Sequence, residues 1–306
     1  MAEPFAVDYL SWSDRETRQF ALRRSTMPDS DVDGWGGTGR QWADSPTTLG
    51  ITRNNRPDSG GKVAKGNPST DFDRAVVTVR VRVTPFTAED TGAPPPSASS
   101  PEREQSSGPT PTAESPRSAP NAASGPVLDE SGWVAGQPRW VNLAVPVGLS
   151  GGRVVVTATP ALVGSPQTSA PEPAVPWDST SEDSEFARNT REAVTTLLRA
   201  YATGDLQYAR AAGTSFRGLD NAVELTDVDV WRTRSGNSAD ETGRSGERVR
   251  VGDVTVTWAL SGDAGTLRCT YRVELRHDGT PGTNGGGGAG GRWYLASVDV
   301  PTEVVT

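Results

Sequence analysis

Cysteine and histidine are nearly missing from this chain: Cys269 and His277 are the sole examples in 306 residues. A lone cysteine cannot close an internal disulfide, and one thiol with one imidazole cannot supply a four-ligand zinc site. Cys269 lies in a strand-like run and reads as a small buried hydrophobe. Long apolar runs are absent too. Without a stretch of about 20 apolar residues the chain carries no membrane-spanning helix of its own. Met1 to Met27 places Asp8, Asp14 and Glu16 where a signal peptide needs a basic and then an apolar region. Taken alone, these absences read as a soluble, cytoplasmic protein. Lysine is confined to Lys62 and Lys65, every other base being arginine; that bias reads as the mark of a GC-rich bacterial genome. No Gly-x-Ser-x-Gly elbow occurs. The Gly285–Gly291 run lacks the Lys-Ser/Thr end of a phosphate loop and leads into a strand, so it reads as a hairpin tip.

What is present is acidic and rich in helix breakers. The formal net charge is −8 and the pI about 4.9. Nucleic-acid affinity comes largely from neutralising phosphates, so this balance argues against direct binding of DNA. Hydrophobic residues make up 34 %, with 24 prolines and 34 glycines. This suggests folded units separated by stretches that bury no core. Residues 89–131 carry proline after proline and almost no large apolar side chain, which reads as a long disordered loop inside one domain. Residues 164–183 hold Pro166, Pro171, Pro173 and Pro176 and read as an interdomain spacer. The predicted domains are therefore 1–163 and 184–306. Shorter flexible loops are expected at Arg234–Gly246 and Thr280–Gly291.

In the C-terminal half, Phe186, Thr190, Val194, Leu197, Leu198 and Tyr201 recur at helical spacing. Glu182, Asp183 and Glu185 favour the start of that helix, and Gly204 suits its C-terminal cap. A short second helix is expected over Leu206–Ala212. Strands follow. Val223, Leu225, Val228 and Val230 begin one; Val254, Val256, Trp258 and Leu260 mark the inner face of a second; Cys269, Tyr271, Val273 and Leu275 mark a third. In the last, Trp293 and Leu295 lie on one side and Val298 and Val300 on the other, which predicts a bulge near Ala296–Ser297. The N-terminal half repeats the plan. Phe5, Tyr9, Trp12, Phe20 and Leu22 sit in helical surroundings broken near Ser11–Asp14 and ended at Pro28. Strands are expected at Gln41–Asn54, Val77–Val83, Trp140–Val147 and Arg153–Thr159.

Particular motifs suggest a family. Phe186-Ala187, then Leu198 to Tyr201-Ala202-Thr203-Gly204-Asp205, and the closing Gly291-Arg292-Trp293-Tyr294-Leu295 resemble the C-terminal domain of TcpC-type conjugal transfer proteins. Phe5-Ala6-Val7-Asp8-Tyr9-Leu10-Ser11-Trp12 resembles the helix opening the preceding domain of that family. The resemblance implies an α+β chain of two cone-shaped domains of the nuclear-transport-factor-2-like fold, each with N-terminal helices on a curved antiparallel sheet. It implies likeness to the VirB-type bitopic scaffold of type IV secretion systems. The implied role is that of a non-enzymatic structural subunit in a Gram-positive conjugative apparatus, with other transfer proteins and further copies of itself as partners. Members of the family carry a cytoplasmic tail and one transmembrane helix before the first domain. The resemblance therefore implies anchoring by a helix not in this chain, with both domains on the extracytoplasmic face.

No catalytic, cofactor-binding or metal-binding residue is assigned. Arg276-His277-Asp278-Gly279 reads as a polar hairpin turn; the other reading is a His–Asp acid–base pair in the cavity, as some enzymes of the fold use. The N-terminal half has no histidine, which excludes a shared catalytic apparatus. Glu224, Asp227 and Asp229 interleave with Leu225, Val228 and Val230 and so read as the wet face of a strand, not a calcium loop. Asp71, Asp73 and Asp299 are single acids near strands. Among nine tryptophans, Trp258 and Trp293 are expected inside. Trp12, Trp35, Trp42, Trp133, Trp140 and Trp177 lie near domain or linker boundaries, where an exposed indole suits protein contact. The alternative to a scaffold is an enzyme or ligand binder using a cone's cavity.

Overall fold

The computed structural model describes residues 1–13, 19–27, 32, 35–36, 39–53, 74–88, 133–150, 152–166, 182–233, 248–262, 264–278 and 291–301. The expected loop over 89–131, the hairpin tip near Gly285, Lys62, Lys65, Asp71, Asp73 and Trp177 lie outside them, as does most of the expected spacer.

The chain opens with α1 (Ala2–Leu10), β1 (Trp12–Ser13) and α2 (Gln19–Ser25). The first sheet is built mainly from β3 (Arg40–Arg53), β4 (Arg74–Ala88), β6 (Arg139–Ser150) and β7 (Arg153–Val156), all antiparallel. Two short strands, β5 (Trp133–Ala135) and β8 (Ala161–Leu162), add to β4 and β6. Alternation explains β4: Val77, Val79, Val81 and Val83 are buried, while Arg80 and Arg82 point to solvent. Phe5, Ala6, Tyr9 and Leu10 of α1 pack on that valine row.

The second sheet runs β12-β11-β10-β9, with β9 (Val223–Thr233), β10 (Arg248–Leu260), β11 (Thr266–Asp278) and β12 (Arg292–Asp299). Across it lies α3 (Ser184–Thr203). The Asp183 carboxylate accepts a bond from the Phe186 amide, which satisfies one otherwise orphaned donor of the first turn. Gly204 ends the helix at φ 82°, a conformation that favours glycine. The buried stripe comprises Thr190, Val194, Leu197, Leu198 and Tyr201, as its spacing predicts, together with Ala187 and Ala202.

Two local expectations are corrected. Residues 206–212 form no second helix. A single turn bonded from Leu206 to Arg210 gives way to a parallel bridge, in which Leu295 and Ala211 exchange backbone bonds with Ala209 and Leu295. The pull of the β12 edge on these backbone groups outweighs helix propagation beyond one turn. Second, β9 shifts register twice against β10, so Val228 points inward but Val230 does not, and Trp231 takes the inner place. Each extra residue of a bulge reverses the side that later residues face. The bulge expected in β12 is present: Leu275 pairs with Leu295 and Glu274 with Ser297, which brings both Leu295 and Val298 into the core.

The halves are not separate in space. A two-residue strand, β2 (Trp35–Gly36), leaves the N-terminal half and pairs with Thr266 and Leu267 of β11. Trp35 stacks on Trp12 with ring centroids 5.5 Å apart, joining β1 of one sheet to β2 of the other. One apolar cluster runs continuously from α1 and β4 to α3 and β11.

Candidate functional site

A buried cluster of polar aromatic groups lies where the end of the first half meets the inner face of the second sheet. Tyr271 and Cys269 on β11, Trp258 on β10 and Tyr201 on α3 are all buried. Strand alternation points the first three inward, and the helical stripe brings Tyr201 to face them. Tyr201 and Tyr271 meet edge to face at 6.2 Å, as do Trp258 and Tyr271. Aromatic hydroxyls and indole N–H groups so deeply buried need partners. Trp258 Nε1 donates to the Tyr271 hydroxyl at 2.9 Å, and that hydroxyl donates to the Leu162 carbonyl at 2.8 Å. The Gly164 amide donates to the Tyr201 hydroxyl at 3.1 Å. Asn142 on β6 holds the strap from behind, through its side chain to Gly164 and its carbonyl to Val163.

Gly164 is required by close approach. A Cβ there would stand 2.1 Å from the carbonyl oxygens of Arg217 and Gly218. The seat for residues 162–164 is thus filled by backbone, with no room for a side chain at its tightest point. Burial pushes both tyrosine hydroxyls above their ordinary range and raises the Cys269 thiol to about 11. These groups stay neutral at physiological pH and act as hydrogen-bonding anchors.

The first half is less closed. Between the start of α1 and the ends of β3, β4 and β6 lies a cavity of about 670 Å³, open on one side and lined by Glu3, Ile51, Arg74, Val77, Val147 and Val154 among others. The Glu3 carboxylate accepts from the Thr48 hydroxyl at 2.8 Å and the Thr48 amide at 2.9 Å, and these bonds hold its pKa below the usual carboxylate range.

The sequence-predicted candidates disperse. His277 is half-buried at the β11–β12 edge, its ring 4.8 Å from Trp293 and packed against Gly291. Asp229 bonds the Thr257 hydroxyl and pairs with Arg268 at 3.3 Å, while Asp227 turns back to the Val228 amide. Asp299 stands opposite Arg272 in register, and burial raises its carboxyl above the ordinary range. Among the described residues no group of acids, His and Cys is arranged to hold a metal ion. Trp258 is fully buried and Trp293 half-buried against Phe186, whereas Trp42 and Trp140 are 42 % and 47 % exposed. Sequence reading missed Tyr271 and Tyr201 as anchors. It placed both in the core, but nothing in the spacing signalled that their hydroxyls bind backbone from residues far earlier in the chain.

The fold defines the class: an α+β protein of two antiparallel sheets, each with a helix across its inner face. No protein-family model matches the chain, and no curated protein matches it. It is similar to a solved structure described as an "Ntf2 like protein involved in plasmid conjugation", over 98 % of this chain and 94 % of that one, with 13 % identity and a TM-score of 0.31. At that level the likeness carries no weight for function.

Proposed function

We propose that the chain is a non-enzymatic structural subunit of a Gram-positive conjugative transfer apparatus, working by protein–protein assembly at the cell envelope. The observation that carries this reading is the clamp of Tyr201, Trp258 and Tyr271 on residues 162–164. It sets backbone from the end of the first half between α3 and the inner face of the second sheet, where a substrate of the second half would sit. Three residues of the TcpC resemblance fall at element ends, Phe186 in the first turn of α3, Gly204 at its end and Trp293 at the start of β12, while Phe5 packs into the core from within α1. In this reading residues 1–163 and 184–306 are two cone-shaped domains of the nuclear-transport-factor-2-like type. They stand outside the membrane, anchored by a helix beyond this chain, and contact other transfer proteins and further copies of themselves.

Deleting the gene in a donor should abolish conjugation while nicking and processing of the transferred DNA continue. Normal transfer from such a donor would overturn the reading. The open 670 Å³ cavity beside α1 favours a second reading, a binding site for a small apolar ligand. Titration of an apolar naphthalene dye into the protein and into Val147→Trp tests it: dye fluorescence that rises with the first and not with the second supports ligand binding there.

A further inference from the structure

The outer face of the first sheet combines exposed indoles with guanidinium groups. Register places them together. Trp42 pairs with Thr84 and Asp44 with Arg82 across β3 and β4, while Arg82 pairs with Trp140 across β4 and β6. Directly paired residues share a face, as do residues two apart, so Arg40, Trp42, Arg80, Arg82 and Trp140 all project to the same side. Trp42 and Trp140 flank β4, on strands about 10 Å apart. The cations are set in advance. Arg80 lies over the Trp140 ring at 4.9 Å, Arg40 over Phe86 at 5.5 Å, and Asp44 grips Arg82 through two bonds of 2.8 and 2.9 Å.

By register Arg40, Arg80 and Arg82 share this face with one described carboxylate, Asp44, which is paired with Arg82.

We propose that this face binds single-stranded nucleic acid, with bases stacking on Trp42 and Trp140 and phosphates meeting Arg40, Arg80 and Arg82. Stacking on aromatic faces flanked by cations is how strands are held without reading sequence. Between the indoles β4 presents Arg82, with Arg80 lying over the Trp140 ring, which suits a polyanion with planar bases. The proposal stands on this face alone and does not depend on the scaffold reading.

The test is fluorescence anisotropy of a labelled oligothymidylate of about 20 nucleotides with the full chain. Binding should weaken roughly tenfold or more between about 50 and about 200 mM salt. Trp42→Ala and Trp140→Ala should each weaken it roughly tenfold, and Arg80→Gln should flatten the salt dependence. Tyr208→Ala, an exposed aromatic of the second half, should leave affinity unchanged. Circular dichroism of each variant confirms that the fold persists. No anisotropy change at low salt would overturn the proposal, and so would undiminished binding by the doubly substituted Trp42→Ala, Trp140→Ala protein. A polyglutamate peptide bound as tightly through the same indoles would assign the face to an acidic protein instead.

Discussion

On the outer face of the second sheet most charges have been matched within the sheet. Asp229 meets Arg268, Asp253 meets Arg272 through two bonds, Glu274 meets Arg276, and the Thr255 and Thr270 hydroxyls bond across strands. On the first sheet the corresponding face shows two exposed indoles among arginines, and its inner side opens at the mouth beside α1. The inner face of the second sheet, by contrast, receives the strap from the first half. The second half pairs its outer charges within the sheet and takes the strap on its inner face; the first half leaves indoles and a cavity mouth exposed.

The comparison breaks most readily at the strap. Gly164→Ala forces a methyl into carbonyl oxygens, and we expect a loss of about 3 kcal/mol. Urea unfolding followed by tryptophan fluorescence checks it. If the halves are as tightly joined as the clamp implies, the single transition moves as a whole. A split into two transitions, only one of them shifted, would show that the halves fold independently.

Tyr271→Phe is the next largest. It leaves the Trp258 N–H and the Leu162 carbonyl buried without their partner, at a cost of about 2 kcal/mol by the same measurement. The conservative size of the change keeps the packing, so a loss near zero would mean that the hydroxyl contributes nothing to holding the strap.

A smaller effect concerns pH. Burial raises the Asp299 pKa above that of the unfolded chain, so the native state holds its proton more tightly. Where the native state binds more protons, stability falls as pH rises, starting from the ordinary carboxylate range and levelling off above the native pKa. Asp299→Asn should remove that decline, leaving the variant at least as stable as the parent at neutral pH. Thermal midpoints recorded across the acidic range decide it; a variant whose decline is unchanged would assign the effect to other carboxylates.

Least affected should be Arg82→Ala. The Asp44 pair holds the Asp44 carboxyl below its usual range, but it lies in solvent, where such pairs add little to stability. Its unfolding midpoint should match the parent within error. A clear drop would mean that the outer face of the first sheet is structural after all, and the contrast between the two sheets would shrink.

Much of this was readable in the chain because periodicity is a local property. The valines of β4, the alternation through Trp258 and through Tyr271, the stripe of α3 with its Asp183 and Gly204 ends, and the bulge in β12 each need only a few adjacent residues to be recognised. The burial of Cys269 followed from the same pattern. Pairing across distance was not readable. Backbone amides and carbonyls are alike at every position, so no residue advertised that Trp35–Gly36 would join β11 or that Leu162 and Gly164 would meet Tyr271 and Tyr201. The inner place of Trp231 depended on two bulges whose positions are set by the partner strand. Trp42 and Trp140 became neighbours on one face only through a register shared across three strands, which is fixed by how the whole sheet buries its valines.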